Sequence, residues 1–384
     1  MNYTIPYGKQ YIDQKDIEAV VQTLKSDFLT QGPEIEKFEK AFAKYIGADY
    51  AIAVSNGTSA LHLCALALDT NKKSKVITSP ITFVASANCI EYCGGEIEFC
   101  DIDPETLCLD INKVRNKLEN APKGTYSGII PVDFAGFPIN MEAFRNLADQ
   151  YGLWLLEDSC HAPGGFFIDS SMKKQFCGNG KFAETAIFSF HPVKHIAAGE
   201  GGMITTNRKD LNDKIKLLRT HGITKNSNLL NTSSLGWYYE MQQLGYNYRV
   251  SDIICALGNS QLKRAKEGLK KRKAIAEKYL EDLSDLPLKI PSSNFSEGHA
   301  FHLFVILTEK RDELYSYLRE WNIQTQIHYI PVYKHPYYKS KYGSQHFKYS
   351  EEYYSKCLSL PIYPSMTNDE YLFVKEKITN FFNG

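Results

Sequence analysis

Neither sign of charge is in excess in this 384-residue chain: 44 lysines and arginines stand against 44 aspartates and glutamates. A net formal charge of zero supplies no overall field to draw in nucleic acid, which leaves only a local basic patch as a route to such a partner. Long apolar runs are missing too. The amino terminus, MNYTIPYGKQYIDQ, has no apolar signal region, and nothing later approaches the roughly 18 apolar residues a membrane helix needs. The expectation is a soluble, cytoplasmic protein with no nucleic-acid and no membrane partner. Nor does the chain carry the paired CxxC of zinc sites. Its nine cysteines, an odd number, are spread from Cys64 to Cys357 and do not form a secreted disulfide framework. Even the tightest group, Cys89, Cys93, Cys100 and Cys108, lacks metal-ligand spacing, so these read as buried free thiols with no metal site. Repeats and low-complexity segments are absent.

What is present is ordinary globular composition, 43% hydrophobic and 23% charged, over a length that suggests about two domains. Asp13 is placed to cap a helix with Ile17, Val20, Val21 and Leu24 at amphipathic spacing, and Asp16 completes an acidic capping box. Ile35, Phe38, Phe42 and Ile46 mark a second helix stopped by Gly47. From there strands and helices alternate. YAIAV (50–54) reads as a strand, and SNGTSAL opens a helix with Leu61, Cys64, Ala65 and Leu68 on one stripe. GIIPVDF (128–134) is strand-like, Phe144, Leu147, Ala148 and Tyr151 mark a helix ended by Gly152, and LWLLED (153–158) is a strand again. AIFSF (186–190) and GMITT (202–206) add two more. Such alternation predicts an α/β fold with a mostly parallel sheet. A long charged helix is expected around 261–283, with KKRK (270–273) read as a solvated face rather than an anion patch. HAFHLFVIL (299–307) is a further strand candidate. The change of texture sets a boundary near residue 250, giving domains 1–250 and 251–384.

Ligands of open α/β sheets gather at the carboxyl ends of strands. SNGTS (55–59) lies there, where helix amides with Thr58 and Ser59 are able to hold a phosphate, although a plain capped turn fits equally. It lacks the Walker lysine and the GxGxxG pattern, which disfavours an ATP loop or a dinucleotide fold. Asp158 ends the apolar run LWLL, where a carboxylate is costly unless it meets a cation, from a ligand or from a structural salt bridge. Glu157 beside it points the other way along the strand. His161 follows three residues on. Lys194 is unremarkable by type, but it stands between the strand AIFSF and the turn AAGEGG, where a desolvated amine becomes a nucleophile toward an aldehyde. A phosphate cradle, a buried aspartate and a desolvated lysine on one scaffold match the needs of pyridoxal 5'-phosphate.

The segments SNGTSALHL, PITFVASAN, LLEDSCHAPGG, FSFHPVKHIAAGEGG and LGYNYRVSDI, in that order, resemble the DegT/DnrJ/EryC1/StrS family of sugar-nucleotide aminotransferases. The resemblance implies a type I PLP-dependent aminotransferase fold, with a large α/β cofactor domain, a smaller carboxyl-terminal α+β domain and a homodimer with shared active sites. It implies Lys194 as the Schiff-base lysine and Asp158 as partner of the pyridinium nitrogen. It further implies Thr58, Ser59 and Ser189 on the phosphate, Phe83 stacked on the ring, His161 beside the ring, and Asn247 reaching the neighbouring subunit's phosphate. Some relatives carry histidine in place of the lysine and dehydrate their substrate; Lys194 argues against that branch. The opening IPYGKQYIDQKDI, KSDFLTQGP, GWYYEMQQLGYNYR, IQTQIHYIPVY and SLPIYP are most similar to the branch serving pseudaminic acid biosynthesis. There the substrates are glutamate and a UDP-4-keto-6-deoxy-N-acetylhexosamine, and sugar contacts correspond to Tyr7, Asp27, Phe28, Leu29, Thr30, Ser189, Asn247, His328, Tyr329, Ile330 and Pro331. His328 serves equally well as an anion donor or as a packed residue. The alternatives are amination of another nucleotide keto-sugar, a UDP-4-keto-D-sugar or a dTDP-keto-sugar, and a non-catalytic regulatory protein on the same fold.

Overall fold

The computed structural model describes residues 4–232 and 235–384. Two helices, α1 (Gln14–Leu24) and α2 (Pro33–Ile46), precede an alternating run of β1 (Tyr50–Val54), α3 (Gly57–Ala67), β2 (Lys75–Thr78), α4 (Ala85–Tyr92), β3 (Glu96–Phe99), α5 (Ile111–Glu119), β4 (Gly128–Ile130), α6 (Met141–Tyr151) and β5 (Trp154–Asp158). A small hairpin, β6 (Phe166–Ile168) with β7 (Lys174–Phe176), leads to β8 (Thr185–Ser189), β9 (Gly202–Thr206), α7 (Lys209–Arg219) and a second hairpin, β10 (Ile223–Thr224) with β11 (Glu240–Met241). The remainder is α8 (Asp252–Leu262), α9 (Ala265–Asp282), β12 (Phe304–Leu307), α10 (Arg311–Glu320), α11 (Pro336–Tyr342), α12 (Lys348–Lys356), β13 (Cys357–Leu360) and α13 (Asn368–Asn383). Among the described residues no helix is long and apolar enough to cross a membrane.

Seven strands form one sheet in the order β1-β9-β8-β5-β4-β2-β3, in which only β9 runs antiparallel to its neighbours. This is the mostly parallel α/β sheet that the alternation of strands and helices predicted. Side chains alternate across the sheet: Ile52, Val54 and Leu156 pack with α3, α4 and α7 on one face, whereas Leu155 meets α5 and α6 on the other, and Ala51 and Ala53 meet α2 and α8 there. A separate core joins β12, β13, α9, α10 and α13 through Tyr279, Phe304, Leu314, Leu358 and Val374, and Ile5 from the amino terminus enters it.

Several local expectations are met in detail. Asp13 accepts the Asp16 amide at 3.1 Å while the Asp16 carboxylate accepts the Asp13 amide at 3.0 Å, and Gly47 and Gly152 end their helices in the left-handed conformation. YAIAV is a strand over its full length. Others are corrected. The helix at 57–67 is buried almost all round instead of along one stripe, because it lies between the sheet and α4 and α7. The charged stretch at 261–283 is two helices, broken at Lys263 and Arg264, where Arg264 turns to pair with Asp13 and Asp16. The KKRK run is not uniformly solvated: Arg272 is 1% exposed. Of HAFHLFVIL only Phe304–Leu307 is strand.

The covered face of α1 is the unexpected one. Asp16 is buried and takes hydrogen bonds from Gln261 and Arg264 at the α8–α9 junction, so the helix docks through its polar side. Its apolar positions point outward, with Ile17 49% and Leu24 54% exposed, and Phe28 and Leu29 just beyond are exposed as well.

Candidate active site

Because β9 is antiparallel to β8, the carboxyl end of β8 and the amino end of β9 lie at the same edge of the sheet. The turn carrying Lys194 joins those two ends, so it is delivered to the edge where β5 ends in Asp158, β1 runs into α3, and β2 leads to Phe83. The topology thus gathers residues that lie as far apart in sequence as Thr58 and Lys194, as expected for ligand sites of α/β sheets.

Asp158 is buried. Its Oδ2 accepts the Ser86 hydroxyl at 2.7 Å and its Oδ1 the Cys160 amide at 3.2 Å, while Ser86 is held by Thr82 at 2.8 Å. No lysine or arginine pairs with it among the described residues. A buried carboxylate with no lysine or arginine at ion-pair distance among the described residues is an open demand for a cationic ligand atom, and a protonated pyridine nitrogen meets it.

At the start of α3, Asn56 caps the Ser59 amide at 2.8 Å, and the Ser59 hydroxyl donates to the Asn56 carbonyl at 2.7 Å. Ser59 is therefore engaged in the cap. The amides of Gly57 and Thr58, first in the helix, and the Thr58 hydroxyl are left for an anion. Ser189 lies across from them: a Cβ added at Gly57 would come 3.1 Å from the Ser189 Cβ, so glycine keeps this gap open.

Lys194 is half-buried, and burial lowers its amine pKa, opposed in part by Cys160 and Asp158. The Nζ lies 3.5 Å from His302 Nε2. His161 is buried, and burial, then the Lys194 charge, pushes its pKa well down. Its Nδ1 accepts the Ala135 amide at 3.3 Å, which puts the hydrogen on Nε2, 3.3 Å from the Tyr329 hydroxyl. Phe83, 58% exposed, tilts toward Tyr329 with ring centroids 6.2 Å apart, leaving a face free for a planar ligand.

Thr58, Ser59, Phe83, Asp158, His161, Ser189 and Lys194 thus converge on one strand-end edge. Tyr7 and the HYIP stretch border it: Tyr7 packs on His328 at 5.2 Å between ring centroids. His328 is buried, binds Ser359 Oγ through Nδ1 at 2.9 Å, and has its pKa lowered by burial to about 3, so it is a neutral packed ring and not a charged anion donor. Ile330 is exposed and Pro331 begins the turn after it. Asp27, Phe28, Leu29 and Thr30 lie apart on the outer face beside α1, tied to α8 by the Thr30–Ser251 bridge, and Asn247 is exposed, bridged to Thr220. Among the described residues none of these five shares a hydrogen bond or an ion pair with Lys194.

Ser86, His302 and Arg272 were not foreseen. A signal existed for His302, since two histidines interrupt the apolar run HAFHLFVIL. The cysteines are free, seven of the nine buried. Asp133, Glu157 and Cys177 converge behind β5 closely enough to bracket an ion, but Ser159, Gly178 and Ile139 already donate hydrogens to these carboxylates. Burial raises the pKa of both acids, Asp133 to about 6, so the pair retains a proton.

The model of the DegT/DnrJ/EryC1/StrS aminotransferase family matches residues 10–379. The spore coat polysaccharide biosynthesis protein SpsC of Bacillus subtilis strain 168 is 37% identical, over 100% of this chain and 98% of its own. The UDP-4-amino-4,6-dideoxy-N-acetyl-beta-L-altrosamine transaminase of Campylobacter jejuni serotype O:2 is 36% identical, over 97% and 96%. Among solved structures, Helicobacter pylori PseC, an aminotransferase involved in the biosynthesis of pseudoaminic acid, superposes with a TM-score of 0.88 at 29% identity, covering 99% of each chain.

Proposed function

The chain belongs to the DegT/DnrJ/EryC1/StrS aminotransferase family and is a pyridoxal phosphate-dependent sugar aminotransferase, and on that premise we propose which sugar it aminates and how its residues do so. The acceptor is the C4 carbonyl of a UDP-4-keto-6-deoxy-N-acetylhexosamine, the donor is glutamate, and the product is UDP-4-amino-4,6-dideoxy-N-acetyl-beta-L-altrosamine for pseudaminic acid biosynthesis in the cytoplasm. Support for the sugar is the likeness to the Campylobacter transaminase along nearly the whole chain.

When bound, the cofactor supplies an electrophilic carbon and a ring that accepts electrons. The chain's own groups do the rest. Lys194 Nζ would hold that carbon and, when free, would carry a proton to and from the substrate carbon, a role suited to an amine whose pKa burial has lowered. Asp158, fixed by Ser86 and the Cys160 amide, keeps the ring nitrogen protonated. The Gly57 and Thr58 amides, the Thr58 hydroxyl and Ser189 hold the phosphate, with Ser59 turning its hydroxyl from the Asn56 carbonyl to join them, and Phe83 and His161 hold the ring. Residues 1–250 serve as the cofactor domain and 251–384 as the smaller domain over it.

The outward apolar face of Ile17, Val21, Leu24, Phe28 and Leu29 supports a homodimer. In it Asn247 and the Asp27–Thr30 stretch complete the partner's site.

The equally similar SpsC supports a second reading, amination of a different nucleotide keto-sugar with the same machinery. Mass and NMR analysis of the product formed from candidate UDP-4-keto sugars and glutamate separates the two. An equatorial amine, or turnover only with a UDP-4-keto-D-sugar or a dTDP-keto-sugar, rejects the altrosamine assignment.

A further inference from the structure

His302 is 4% exposed, and its Nε2 is the hydrogen-bond partner of the Lys194 amine at 3.5 Å. Its ring lies on that of His161 with centroids 4.2 Å apart. Its other nitrogen, Nδ1, is buried with no partner. That asymmetry fixes the tautomer. A buried N–H without an acceptor is rarer in folded proteins than a buried lone pair without a donor, so the bare Nδ1 is the lone-pair nitrogen and the hydrogen is on Nε2, facing the amine.

The ring is held from behind. Arg272 donates to the Phe301, His302 and Ile362 carbonyls at 3.2, 3.3 and 2.9 Å. The Ala300 and Leu303 amides donate to Gly136 and Ala135 at 2.8 and 3.1 Å. Gly136 has φ of 102°, and a Cβ there would come 2.9 Å from the Phe301 nitrogen, so this close approach requires glycine. A turn pinned at both ends by buried groups leaves His302 little freedom to swing away from Lys194.

We propose that His302 is a positioning residue for Lys194, donating its Nε2 hydrogen to the lone pair of the displaced lysine amine. The inference rests on Lys194 being the reactive lysine of the proposed function. The contact favours the unprotonated amine and opposes the ammonium, since an N–H would then face N–H hydrogens. Other groups near the pair are Asp158 and Cys160 from the end of β5, and His161, His195, His328 and Arg272. The two anionogenic groups favour the ammonium, and the His302 hydrogen acts against them. Burial holds His302 itself neutral, in keeping with this role.

The test reads the lysine directly in the full-length chain stripped of cofactor. Reductive trapping of Lys194 by a small aldehyde is followed by peptide mass against pH, for wild type, His302→Phe, His302→Asn and His302→Gln. The phenyl ring keeps the tilted contact with His161 but has no donor, and the shorter Asn does not reach the amine. Both variants are expected to move the trapping midpoint up by about one pH unit, a tenfold slower reaction at neutral pH. The Gln amide, which brings an N–H near the position of Nε2, restores the wild-type midpoint. An unchanged or lowered midpoint in the Phe and Asn variants overturns the proposal, and so does failure of Gln to rescue while melting like wild type. If Phe does not fold, Asn against Gln carries the same comparison. None of these outcomes depends on which sugar is aminated, and failure of Lys194 to trap at all in wild type would count against the proposed function instead.

Discussion

Ser86 and Asp158, 72 residues apart in sequence, share a buried hydrogen bond of 2.7 Å in which the serine hydroxyl donates to the carboxylate. The bond fixes the orientation of the carboxylate at the end of β5. Removing it by Ser86→Ala is expected to lower kcat about tenfold, the scale of one hydrogen bond to a charged group, with the cofactor still bound. Asp158→Asn goes further, on the order of 100-fold or more in the glutamate half-reaction, because the ring nitrogen loses its ionic partner. Rates within twofold of wild type for Asp158→Asn would show that the aspartate is only structural.

Lys194→Ala is expected to abolish transamination and to eliminate the visible absorbance of lysine-bound cofactor. Absorbance spectra and single-turnover assays on the purified variant decide it, and retained turnover rejects the assignment.

The subunit arrangement is open to complementation. If Asn247 serves the neighbouring site, mixed subunits of Lys194→Ala and Asn247→Ala recover about a quarter of wild-type activity, since half of the randomly formed dimers carry one intact site. Leu24→Glu, placed in the exposed apolar face of α1, shifts the protein toward monomer in sedimentation velocity. A wild-type monomer, or no recovery on mixing, counts against shared sites.

Burial depresses the pKa of His299 and of His328 to about 3. The unfolded chain binds protons on these rings below about pH 6.5 while the folded chain does not, so their stabilising effect is intact above that pH. It is lost as pH falls, by about 1.4 kcal/mol per ring per pH unit. Urea denaturation at pH 7 and pH 5.5 is expected to show a steep loss of stability on the acid side. His299→Gln makes that loss smaller, and an unaltered acid slope in this variant would place the proton uptake elsewhere.

Among the described residues Arg272 meets three carbonyls and no carboxylate, and burial lowers its pKa to about 10, which leaves it charged at neutral pH. Arg272→Ala leaves those carbonyls unmet around a cavity and is expected to cost about 3 kcal/mol or more, measured by chemical denaturation. A cost below 1 kcal/mol would mean that water takes over the contacts.

Much of this was legible in the residues. The Asp13–Asp16 capping box, the glycine stops at Gly47 and Gly152, the strand YAIAV and the position of Lys194 between two strands follow from side-chain chemistry within a few residues. The order of phosphate turn, aspartate and lysine was sufficient to point to the cofactor, because each type is costly or idle in its setting unless a ligand meets it.

Local periodicity and residue type were enough to set the alternation of strands and helices and the chemistry available at the strand ends. Which surfaces are covered emerged only once the chain was packed. The α1 stripe has amphipathic spacing, yet its polar side is the buried one because Gln261 and Arg264 come from the α8–α9 junction to meet Asp16. Arg272 belongs to a basic run but is buried because the 299–303 turn and Ile362 close over it. His302 reaches Lys194 across 108 residues. Burial and hydrogen bonding are properties of a side chain together with whatever packs against it, and those partners arrive from distant parts of the chain.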